Sequence, residues 1–132
     1  MQSNNTTLNI DRATKISDIQ EWFTGRFAFL KLEFFRNRHL AKKEVRGPGE
    51  LALRSDVLTH ANIAIDGKWT VIDVENLFLT EAGLYVQILR RSGNLWIETT
   101  FTEDWTLDQQ NHEGELLSAV YTSPADLNKA KP

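Results

Sequence analysis

The sequence contains no cysteine, which excludes disulfide bridges, thiolate zinc sites and cysteine nucleophiles, and fits a reducing compartment. Histidine is scarce and dispersed: His39, His60 and His112 form no HxH or HxxxH pair, so no metal site is expected. There is no Walker A loop, no GxGxxG and no GxSxG elbow, so nucleotide cradles and the serine-hydrolase arrangement are missing too, and no cofactor is expected. No hydrophobic run longer than a few residues occurs; FAFL (27–30) is only four, and a membrane span needs about 20. The opening MQSNNTTLNID has neither a basic n-region nor an apolar h-region, so the expectation is a cytoplasmic protein with no membrane partner. A net charge of −3 creates no field that would draw in nucleic acid.

What is present is ordinary globular material. The 132 residues are 41% hydrophobic and 25% charged, with seven Phe and four Trp, enough for one core. Within them lies a repeat. LNIDRATKISDIQEWF (8–23) set over IAIDGKWTVIDVENLF (63–78) aligns without a gap, bringing Asp11 to Asp66, Asp18 to Asp73 and Phe23 to Phe78. In both copies the apolar spacing changes from two to three or four at the same point, so each reads as a strand, a polar turn and an amphipathic helix. Ile16, Ile19, Phe23 and Phe27 form one stripe; Val71, Val74 and Phe78 form the other. Thr70 with Asp73 resembles a capping box, while Thr14 or Ser17 is the candidate cap in the first copy. A second strand follows each helix, with Leu30, Leu32 and Phe34 on one side in the first and Leu84, Val86 and Ile88 in the second.

The expected architecture is therefore α+β: two tandem βαβ repeats, 8–36 and 63–91, forming a ferredoxin-like antiparallel sheet with helices on one face. An extra C-terminal hairpin strand and a short helix complete a single domain over 1–122, and 123–132 is expected to be a flexible tail. Ser55 is a candidate cap for a short helix between the repeats.

Ser92 and Gly93 are turn residues between two alternating runs, which predicts a tight hairpin with Leu89 opposite Trp96 and Ile88 opposite Ile97. One face then carries Leu84, Val86, Ile88, Leu95, Ile97 and Phe101 and belongs under the helices. The other carries Tyr85, Gln87, Leu89, Trp96, Glu98 and Thr100, with Arg91 beside them. Aromatic anchors among orienting polar groups have the makeup of a binding surface, unless LLSAVY (116–121) lies across it. Next, Thr106 with Gln109 forms a capping box, Trp105 is placed to fold onto the core, and Gly114 is a candidate helix stop. The amides Gln109, Gln110 and Asn111 have no assigned role.

VQILRRSGNLWIETTFTEDWTLDQQN (86–111) resembles the signature of a family of small, uncharacterised bacterial proteins. In that family a basic SGN hairpin leads into a Trp-centred strand, a Thr-rich turn and a WTL…QN helix. The likeness extends from the repeat helices through Glu115; it implies a shared fold and supplies no catalytic residues.

Two functional readings follow. The first is a non-enzymatic protein-interaction or self-association module using Tyr85, Gln87, Leu89, Arg91, Trp96, Glu98 and Thr100. The second is a small-molecule or anion site, or an enzyme, between the basic loop Arg36–Arg46 and the acids near Glu103, where Glu98, Glu103 and Asp104 crowd one sheet end. RNA binding by stacking on the central strands is disfavoured, because Asn9 and Ala64 offer no aromatic platform there.

Overall fold

Ile16, Ile19 and Phe23 recur at helical spacing and all three are fully buried, as are Val71, Val74 and Phe78. These two stripes organise the molecule. The computed structural model describes residues 7–37, 44–53 and 59–120. In chain order its elements are β1 (Thr7–Asp11), α1 (Ile16–Arg26), β2 (Leu30–Phe35), β3 (His60–Ala64), α2 (Val71–Ala82), β4 (Tyr85–Ser92), β5 (Leu95–Glu98), a 3-10 turn (Thr100–Thr102) and α3 (Leu107–Val120). The expected tail, and the expected cap Ser55, lie outside the described residues.

The fold is mixed α+β with two antiparallel sheets, and this corrects the expectation of one ferredoxin-like sheet. Among the described residues β1 pairs only with β3, and the second sheet has the order β2-β4-β5. The two strands of each βαβ unit thus sit in different sheets. Each strand instead pairs with its counterpart from the other repeat: Leu8 faces Ile63, and Glu33 faces Gln87. Both sheets and both helical stripes contribute to one buried cluster, in which Phe34 meets Phe78 edge-on with ring centroids 6.3 Å apart.

The repeat is legible in the backbone. The Ala13 N–H donates to Asp11 Oδ1 at 2.8 Å, and the Lys68 N–H donates to Asp66 Oδ1 at 2.9 Å. Ile16 and Ser17, at the start of α1, donate to the carbonyls of Glu50 and Pro48; Val71 and Ile72, at the start of α2, donate to those of Trp105 and Glu103. The return bonds match as well, from Ala52 N–H to Thr14 O and from Leu107 N–H to Trp69 O. All of these correspond at an offset of 55, so the repeat extends past the strands into 48–52 and 103–107. Only the second strands depart: buried Leu30 and Leu32 match Leu84 and Val86 at an offset of 54, because six positions rather than seven separate the buried helix phenylalanine from the first buried strand leucine, Phe78 to Leu84 against Phe23 to Leu30.

At the start of α1 the cap is Lys15 rather than Thr14 or Ser17; its N–H donates to Asp18 Oδ2 at 2.8 Å. Thr14 is diverted into the preceding turn, where its hydroxyl accepts from the Asp11 N–H. Thr70 caps α2 as its sequence predicts, accepting from Asp73 N–H at 3.2 Å.

The hairpin register is also corrected. Gly93, not Ser92, opens the two-residue turn, with φ of +65°, so Ser92 faces Leu95, Arg91 faces Trp96 and Arg90 faces Ile97. Sliding a two-residue turn by one moves every partner by two, which preserves the face of each side chain. The sorting into two faces therefore holds, but the edge does not: Leu95 is 64% exposed and Phe101 fully exposed rather than covered by helices. Thr100 lies in the 3-10 turn, beyond the end of β5.

Gly114 does not end α3, which continues to Val120. It marks a close approach instead: a Cβ there would stand 2.8 Å from Phe29 Cβ and 3.2 Å from Arg90 Cγ. LLSAV thus belongs to α3, and α3 packs where the backbones of β2 and β4 are reached through Phe29 and Arg90, away from the Tyr85 face.

Candidate functional site

The β2-β4-β5 sheet offers two regions, one on its outer face and one along the edge of β4 beyond the end of β5. At the hairpin end, Trp96 is half-buried, with Lys31 Nζ 5.1 Å and the Arg91 guanidinium carbon 5.6 Å from its ring centroid. Lys31 and Trp96 come from the two strands flanking β4, so they meet above Leu89, the central residue paired to Lys31. This explains why Leu89 is only 7% exposed on a face turned away from the helices. Cation–π attraction is what makes Trp96 opposite Arg91 a favourable pair.

The other region is concave. Where β5 leaves β4, the chain turns into the 3-10 segment and a cleft of about 480 Å³ opens between β4 and α2. Four of the seven expected site residues line it: Tyr85, Gln87, Glu98 and Thr100. Gln87 Nε2 donates to Thr100 Oγ1 at 3.2 Å, tying the strand to the turn. Leu89, Arg91 and Trp96 remain at the hairpin end, outside this lining.

The rest of the lining was not foreseen. Phe35 ends β2 and Asn37 follows it, Ile72, Glu75, Asn76 and Leu79 come from α2, and Leu84 and Val86, expected under the helices, open onto the cleft as well. Glu75 Oε2 accepts from the Ile88 N–H at 3.0 Å, and Thr99 Oγ1 donates to the Ile88 carbonyl at 2.7 Å. The signal for the α2 wall was present in the sequence, since Glu75, Asn76 and Leu79 lie off the buried Val71/Val74/Phe78 stripe. What the sequence lacked was the point at which β5 would diverge.

The basic-loop reading fares differently. Arg36 and Arg46, its described arginines, turn to Glu50: Arg36 Nη2 lies 2.6 Å and Arg46 Nε 3.4 Å from that carboxylate. Arg46 also donates to the carbonyls of Leu51 and Ala52. The Gly47 N–H does most to hold the Glu50 carboxyl below its ordinary pKa; desolvation opposes it, and hydrogen bonds from Arg46 and then Arg36 add to the lowering. Asp11 is lowered likewise, first by the Ala13 N–H and then by the Thr14 hydroxyl. Glu103 presents its backbone carbonyl to Ile72. Arg38, Lys42 and Lys43 lie outside the described residues.

The three unassigned amides are structural. Gln109 completes the capping box with Thr106, accepting its N–H at 2.8 Å while its own N–H donates to Thr106 Oγ1 at 3.1 Å. Gln110 is fully buried, donating to the carbonyl and hydroxyl of Thr102 and accepting from Arg90 Nη1. Asn111 Oδ1 accepts from the Phe29 N–H at 2.9 Å. Arg90 also stacks on Trp105, 5.7 Å from its ring centroid.

Among the described residues no group of three or more His, Asp or Glu is placed to hold a metal ion, and no helix is long and apolar enough to cross a membrane. The chain matches no family model, no curated protein and no solved structure.

Proposed function

We propose that this chain is a non-enzymatic protein-interaction module, working in the cytoplasm, that engages a partner through the outer sheet face around Tyr85 and Trp96. The single observation that supports this reading is the convergence of Tyr85, Gln87, Glu98 and Thr100 on one open cleft, walled by Phe35 and Leu79. Apolar walls give contact area, and amide, hydroxyl and carboxylate groups fix orientation, which is how anchored protein interfaces are built. Leu95 and Phe101, 64% and 100% exposed at the adjoining edge, extend the apolar surface toward a size a partner could cover. Self-association through the same face is the homotypic version of this function.

The test is affinity capture from a lysate with the full chain as bait, beside light scattering over a range of concentrations. Tyr85→Ala and Trp96→Ala, each with a wild-type circular dichroism spectrum, should lose the partners or the dimer that the wild type retains. Undiminished capture and an unchanged mass for both variants would remove this face from the function. The cleft volume also falls in the range of small-molecule sites, roughly 300–1,000 Å³. A small ligand co-purifying with wild type and absent from Tyr85→Ala would favour that second reading.

A further inference from the structure

The two repeats treat the same strand edge in opposite ways. In the first, Thr24 Oγ1 donates to the Leu30 carbonyl and Gln20 Nε2 to the Leu32 carbonyl, both at 3.0 Å, so side chains of α1 close the free edge of β2. In the second repeat the matching helix positions are Leu79 and Glu75, and the matching strand positions are Leu84 and Val86. Leucine has no donor, and the Glu75 carboxyl is turned to accept the Ile88 N–H. Accordingly, among the described residues none donates to the carbonyl of Leu84 or Val86.

Those groups face the cleft. The Ile88 N–H is taken by Glu75 and its carbonyl by Thr99, so both backbone groups of Ile88 point away from β2. Alternation along an antiparallel ladder aims the N–H and C=O of Val86, two residues earlier, in the same direction. β5 cannot cover them, because its pairing with β4 ends at Leu89 opposite Glu98. Leu84 and Val86 both line the cleft, which lies in the space a continued β5 would fill.

From these facts we infer that the cleft receives an extended segment of a partner protein, which pairs as a short strand with β4 at Leu84–Val86, in line with β5. The inference rests on the interaction reading above and names how the partner is held. Main-chain hydrogen bonds from an added strand give affinity without requiring a particular sequence, while alternate side chains of the segment reach the Leu79 and Phe35 walls. A second copy of this chain is the weaker occupant, since every described strand is already paired along at least one side and none is free to leave its sheet.

The experiment selects binders from a phage-displayed library of linear dodecapeptides on the full-length chain. Bound peptide should shift the amide resonances of Val86 and Ile88 and slow hydrogen exchange at Val86. The variant Glu75→Gln/Leu79→Thr rebuilds in the second repeat the donors that close the first; it should bind the same peptides about tenfold more weakly, the equivalent of one or two lost hydrogen bonds. Val86→Pro, which deletes the outward N–H, is the independent second variant and should do the same. Equal binding by wild type and both variants, or peptide-induced shifts confined to Lys31 and Trp96, would overturn strand addition. So would a library that yields no binder. If lysate partners are lost by Tyr85→Ala yet kept by the Glu75/Leu79 double variant, the interaction face stands and edge pairing falls.

Discussion

Gly114 shows how a single residue can carry two opposed effects whose magnitudes decide the outcome. Replacing a mid-helix glycine by alanine ordinarily stabilises by up to about 1 kcal/mol. Here the new methyl would lie 2.8 Å from Phe29 Cβ, on a segment whose N–H is held by Asn111. Overpacking against backbone that cannot retreat costs about 1–3 kcal/mol, so Gly114→Ala should be net destabilising by about 1 kcal/mol or more in urea unfolding. A stabilised variant would mean that α3 can draw back from the sheet. The sequence marked this glycine as punctuation because glycines near helix ends are common, and nothing local revealed that a strand crosses at that height. Trp96 is the converse case. Its face was readable from the period of two, whereas its neighbours Lys31 and Arg91 depended on a turn position that leaves parity unchanged.

The starts of the three helices are held from outside as much as from within. The first amides of α2 donate to carbonyls just ahead of α3, and those of α3, Leu107 and Asp108, donate back to Trp69 and Gly67. Thr106 therefore sits in a cap that serves two helices. Thr106→Ala should cost about 1 kcal/mol, near the middle of the range for cap deletions, and lower the melting temperature by roughly 3–5 °C. A loss confined to a few tenths of a kcal/mol would show that the backbone exchange alone sets these ends.

In the first repeat the corresponding element is the 47–52 turn, organised by Glu50. Because the folded chain holds this carboxyl below its ordinary value, the stabilisation is present above the unfolded pKa, about 4.3, and is lost as pH falls through the lower folded value. Urea titrations from pH 6 to pH 2.5 should show wild type losing more stability across that window than Glu50→Gln. Identical profiles would mean that the carboxylate's charge contributes nothing to this turn. Helix stripes, the Thr70 and Thr106 caps and the offset of 55 were all legible in the sequence. The Lys15 cap was not, because Asp11 competes for Thr14 through two hydrogen bonds that only the turn geometry brings together.

At the scale of the molecule, the chain behaves as two similar halves that pair β1 with β3 and β2 with β4. Departures from that similarity are where function is proposed. The cleft, the unclosed edge at Leu84 and Val86 and the diverging strand β5 all belong to the second half. Helical and strand periodicities, cap chemistry and the repeat arise from neighbours within a few positions along the chain, and the sequence by itself determined them. Whether each repeat's strands share a sheet or exchange with the other repeat depends on contacts between residues about 55 apart, which leave no local trace. Only the tertiary structure decided that exchange, and with it which carbonyls accept from a helix side chain and which accept from none among the described residues.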